Sequence, residues 1–71
     1  MIMKIRSKVT GRSYWPEKSC FITNHKQAAL YMKNGVELLD IMVCREDQLV
    51  YVFDKKESAP YYQKWKNYQL I

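Results

Sequence analysis

Little in this sequence belongs to the usual equipment of catalysis. Its one histidine, His25, cannot complete a Ser-His-Asp set, and its expected place at the first position of a helix leaves it in solvent. Cys20 and Cys44 stand far apart with no CxxC, so neither a zinc site nor a disulfide scaffold is signalled, and both read as buried free thiols. The two glycines, Gly11 and Gly35, are isolated, which excludes a glycine-rich phosphate loop. No enzyme, metal, cofactor or small-molecule ligand is therefore expected. There is no apolar stretch of about 7–15 residues at the N-terminus to mark a secretory leader, and no run approaching about 18 to span a membrane. The chain reads as cytoplasmic and reduced, with no membrane partner.

What is present is apolar and basic. Hydrophobic residues make up 48% of 71, with ten aromatics, the composition of a chain that folds. A domain this short buries only roughly 60% of its unfolded surface, so a second source of stability is expected. The net charge is +5, and the first 18 residues carry +4 of it: Lys4, Arg6, Lys8, Arg12 and Lys18 against Glu17. Such asymmetry suits an acidic partner, whether nucleic acid, an anionic surface or an acidic protein patch, and it excludes a protein that imitates DNA.

In MIMKIRSKVTGR, residues 1–12, Lys4, Arg6, Lys8 and Arg12 take even positions and Met3, Ile5, Ser7 and Val9 odd ones. The segment is either a strand with a cationic stripe or a basic arm ordered by a partner, and the alternation favours the strand. Alternate strand residues lie about 6.8 Å apart, near two steps of a nucleic-acid backbone, and Tyr14 and Trp15 follow where they could stack on a base. Against this, no helix-turn-helix follows Gly35 and no RNP-like motif is present.

Residues 13–18, SYWPEK, read as a linker because Pro16 removes a donor and biases Trp15 to extended backbone. SCFI, 19–22, is β-prone and runs into the N-cap candidates Thr23 and Asn24. A helix follows over HKQAALYMKN, with Ala28, Ala29 and Met32 on one face, Leu30 and Tyr31 flanking it, and Gly35 as its stop. VELLDIMVC, 36–44, and LVYVFD, 49–54, read as a hairpin around REDQ. Simple alternation groups Leu39, Ile41 and Val43 against Val36, Leu38, Asp40, Met42 and Cys44, so both faces are apolar and want cover. Asp40 is the odd polar position. Asp54 and Glu57 resemble a capping box, although Pro60 suits a first turn beginning at Ser58 better. The last helix runs to about Asn67 with Tyr61, Trp65 and Tyr68 as a stripe and Tyr62 beside it.

The expected fold is α+β: one domain over 1–71 with a small antiparallel or mixed sheet of three to four strands and two helices on one face. Residues 1–12 form the basic strand or arm, 13–18 the linker and 19–71 a β-α-β-β-α core. A hairpin with two apolar faces in so short a chain suggests a homodimer. The candidate protein interface is Leu38, Asp40, Met42, Tyr51, Phe53, Tyr61, Tyr62 and Trp65, since Tyr and Trp are enriched at interfaces. The candidate nucleic-acid or acidic-partner site is Lys4, Arg6, Lys8, Arg12, Tyr14 and Trp15.

From about Phe21 to Tyr68 the order of signals resembles a family of small uncharacterised domains found in bacteriophages, prophages and plasmids of Gram-positive bacteria. The residues that carry the likeness are QAALYMKNGVELLDI, a helix ending in Asn-Gly and passing into a strand, and LVYVFDKKE, an aromatic strand ending in an acidic helix cap. The resemblance implies a compact β-α-β-β-α unit without catalytic residues. Phage proteins of this size are often accessory factors, so a protein that docks on a bacterial host protein is expected, of the kind that inhibits a defence system or takes over a host enzyme. The alternative is a nucleic-acid-binding accessory protein. The basic segment and SYWPEK lie outside the matched core and inherit nothing.

Overall fold

The computed structural model describes residues 3–71. In chain order the elements are β1 (Ile5–Arg6), β2 (Ser13–Tyr14), a 3-10 turn (Pro16–Lys18), β3 (Ser19–Ile22), α1 (His25–Lys33), β4 (Leu38–Val43), a second 3-10 turn (Arg45–Asp47), β5 (Leu49–Asp54) and α2 (Lys55–Lys66). This is an α+β domain with two helices and two small antiparallel sheets. The larger sheet has the order β3-β5-β4, with β5 in the centre.

The basic segment does form a strand, but not as an addition to that sheet. β1 pairs with β2, Ile5 opposite Tyr14 and Arg6 opposite Ser13, so two residues of the expected linker are the second strand of a separate hairpin. The cationic alternation stops after Arg6 because Ser7 turns the chain. Its hydroxyl accepts the amides of Val9 at 3.1 Å and Thr10 at 3.0 Å, an ST-turn, and Gly11 closes the loop at φ +77°.

Both helices begin on a side-chain cap. Asn24 Oδ1 accepts the Gln27 amide at 3.0 Å, and Asp54 Oδ2 accepts the Glu57 amide at 2.8 Å. The second cap places the start of α2 at Lys55, so Pro60 lies within the helix instead of opening it at Ser58. The capping box is half made: the Glu57 carboxylate accepts the Glu37 amide at 2.9 Å, joining α2 to the entry of β4. Gly35, at φ +91°, ends α1 as expected. The buried face of α1 is Gln27, Ala28 and Tyr31, while Ala29 and Met32 are exposed. Tyr31 wins the inward place because its ring meets Phe53 edge to face at 5.2 Å and its hydroxyl is satisfied by Gln27 Nε2 at 2.9 Å. Tyr68 leaves the expected stripe: it follows the C-cap Asn67 at φ +59° and is 96% exposed.

Ala28, Tyr31, Val36, Phe53 and Leu70 form the core between the helices and one sheet face. Leu38 pairs with Phe53 and Asp40 with Val52, so Leu39 is an extra residue in β4, a β-bulge. Simple alternation fails here. Leu38 faces the helices with Phe53, whereas Asp40 and Met42 lie on the opposite face beside Val52 and Val50.

Candidate functional site

Asp40 sits where the β1–β2 hairpin crosses the outer face of the sheet. It is 8% exposed, and its carboxylate accepts three hydrogen bonds: Ser7 Oγ at 2.6 Å, Tyr14 Oη at 2.6 Å and the Ile41 amide at 2.8 Å. The bulge turns two neighbouring carbonyls to the same use. Thr10 Oγ1 donates to Leu39 O at 2.7 Å and Arg12 Nη1 to Leu38 O at 3.0 Å, while the Arg12 guanidinium also pairs with Glu37. Burial alone would raise the Asp40 pKa, but the bonds from Ser7, Tyr14 and the Ile41 amide together hold it below the ordinary carboxylate value. Burial, the bond to Asp40 and the nearby negative charge push the Tyr14 phenol up to about 12. Oδ1 accepts from Ser7 and the Ile41 amide and Oδ2 from Tyr14, so both oxygens are engaged within the chain. Asp40, expected at a protein interface, is instead buried within the chain, where it acts as a clip that holds the hairpin on the sheet.

The cationic set divides. Lys4, Arg6 and Lys8 are exposed, and Lys4 Nζ stands 5.9 Å from the centre of the Trp15 ring, which is 38% exposed. Arg12 is held by Glu37 and the Leu38 carbonyl, and Tyr14 is 3% exposed and cannot stack on a base. The interface set divides too. Phe53 is fully buried, Leu38 and Tyr51 pack against the core from the sheet, and Tyr61 and Trp65 do so from α2. Only Tyr62 is exposed, with Met42 half-buried on the outer face. Cys20 is half-buried as a thiol beside Ser58, but Cys44 lies past the end of β4 and is exposed, not buried. His25 is exposed, its Nδ1 3.1 Å from the Tyr51 hydroxyl.

The structure adds a groove that the helical stripe did not describe. Tyr68, in the left-handed conformation, reverses the chain, Gln69 N donates to Lys64 O at 2.8 Å, and Leu70 folds back into the core. Between α1, α2 and this return lies a groove of about 620 Å³ walled by Leu30, Trp65, Leu70 and the exposed Tyr62 and Tyr68. Lys26 and Lys66 also line it, and Lys66 Nζ is 5.7 Å from the Tyr62 ring centre. The available signal was the apolar pair Leu70-Ile71 after a polar helix end. A smaller cavity of about 220 Å³ lies under the first turns of α2. Among the described residues no three His, Cys, Asp or Glu side chains gather as a metal-binding group, and no helix is long and apolar enough to cross a membrane.

Comparison with protein-family models, with curated proteins and with solved structures finds no match to this chain.

Proposed function

We propose that this chain is a non-enzymatic binding protein of the mobile-element type. It docks on a host protein through the groove between α1, α2 and the C-terminal return. The observation that carries this reading is the pairing of apolar and aromatic walls with lysines: Trp65, Tyr62, Tyr68 and Leu70 beside Lys26 and Lys66. Such a lining suits an acidic segment that carries an apolar anchor, because the anchor fills the wall and its carboxylates meet the lysines. The charge of +5 acts in the same direction. The same lysines disfavour groove-to-groove pairing of two copies. With the hairpin lying over Asp40 and a fully buried Val52, the ground for a homodimer through the outer sheet face also narrows.

The test is titration with a Glu/Asp-rich peptide bearing one Phe or Leu, followed by amide shifts. Shifts should gather at Lys26, Tyr62 and Tyr68, and a Tyr62→Ala/Tyr68→Ala protein should lose binding while keeping its circular dichroism spectrum. Equal binding by that double variant would sink the reading.

A second reading, nucleic-acid binding, draws on the Lys4–Trp15 stack beside the exposed Arg6 and Lys8. With Arg12 occupied by Glu37, three cations remain, so affinity for duplex DNA should fall with salt at a log-log slope of about −2.7.

A further inference from the structure

The 220 Å³ cavity lies between β3, α1 and the start of α2, lined by Cys20, Ile22, Tyr31 and Ser58, and opens to solvent beside the exposed Ala59, Tyr62 and Lys55. It exists because Cys20, Ser58 and Ala59 are small where α2 crosses the sheet. Cys20 Sγ and Ser58 Oγ satisfy one another at 3.2 Å, so the inner wall at this contact offers apolar surface to a guest. An apolar cavity of about 150 Å³ takes up benzene, so a space of this volume has room for one aromatic ring. The rings of Tyr31 and Tyr62 give a flat guest two aromatic neighbours. Lys55 forms no ion pair among the described residues, which leaves its ammonium for an anionic substituent.

We propose that this cavity is a binding site for a small planar aromatic carboxylate, its ring held between Tyr31, Tyr62 and Ile22 and its carboxylate at Lys55. The site stands apart from the docking groove, with which it shares Tyr62 alone. The sequence indicated no small-molecule ligand, because the small residues that open the cavity come from two segments 38 positions apart, Cys20 and Ser58.

The test uses the full chain with Cys44→Ser, which leaves Cys20 as the single thiol, and two probes, indole-3-carboxylate and neutral indole. The acid should give saturable amide shifts at Ile22, Ser58 and Ala59, with a Kd between roughly 10 μM and 1 mM for a ligand of this size. It should slow alkylation of Cys20 by iodoacetamide in proportion to occupancy. Lys55→Met, at an exposed helix position, should weaken the acid about tenfold and leave indole unchanged. Tyr68→Ala, which alters the groove alone, should leave both probes bound, so failure of the docking reading and failure of this one are separable. Ala59→Leu should block both probes; should that variant not fold, protection of Cys20 in the unfilled cavity still decides. Absence of saturable shifts, an unchanged alkylation rate at saturation, or equal binding of acid and indole that ignores Lys55→Met would each overturn the proposal.

Discussion

The two faces of the central sheet are covered by opposite means. On the inner face the helices bring Ala28, Tyr31 and Trp65, and the C-terminal return brings Leu70, against Phe53 and Leu38, and carbon meets carbon. On the outer face a ten-residue hairpin is held by hydroxyls from Ser7, Tyr14 and Thr10 and by Arg12, directed at one carboxylate and the bulge carbonyls beside it. The first cover is non-directional and follows area. The second depends on geometry, and its parts are of unequal worth. This polar clip adds directional contacts to a core that a domain of this length keeps small.

Removing the centre of each cover should expose the contrast. Phe53→Ala empties the middle of the inner core and should cost about 3–5 kcal/mol, enough to unfold a domain of this size, as read by thermal denaturation. Asp40→Ala should cost about 2–3 kcal/mol, because the hydroxyls of Ser7 and Tyr14 and the Ile41 amide lose their acceptor. Its signature is local: in hydrogen exchange the Ser7 and Gly11 amides should open while those of β5 stay protected. Uniform loss of protection would show that the two covers are a single cooperative unit.

The pH response sharpens the comparison. The Tyr14 phenol is raised in the folded state, so its contribution is complete below pH 10 and is lost as the pH climbs from 10 to about 12. Asp40 is lowered, so its contribution is present above the ordinary carboxylate value and disappears as acid carries the pH down through the folded one. Denaturation midpoints between pH 9 and 12 should fall more steeply for the unsubstituted protein than for Tyr14→Phe, and parallel curves would count against the clip. The smallest effect belongs to the exposed Arg12–Glu37 pair, where Glu37→Gln should change stability by about 0.5 kcal/mol or less, measured by urea titration.

The inner cover was largely legible in the sequence, and the outer one was not. Asn24, Gly35 and Asp54 announce helix ends by local chemistry, and LVYVFD could hardly be anything but a strand, so α1, β4, β5 and α2 follow from short-range rules. The rotation of α1 towards Tyr31 is a tertiary choice, decided by Phe53 22 positions away. The outer cover rests on contacts between residues 26 to 33 apart, which no periodicity encodes. One residue, Leu39, also breaks the count of two on which face assignment rests, so strict alternation puts Leu38 and Asp40 together whereas the bulge sends them to opposite faces. The candidate sites were affected in the same way. Tyr14, Asp40 and Phe53 are residue types suited to recognition, but each is buried, and the groove depends on the chain reversal at Tyr68 that left-handed backbone permits and no motif marks.

The position of β5 in the sheet has a consequence for the order of assembly. β3 and β4 touch no common edge and each pairs only with β5, so during synthesis neither can settle into a ladder until residues 49–54 have emerged. The hairpin is made first of all, yet it too must wait, since its anchor is on β4. A nascent chain that stops before Leu49 therefore holds one short helix, the β1–β2 hairpin and two unpaired strands, β3 and β4. Folding begins late and then proceeds at once, with the last strand to appear serving as the template for those made before it.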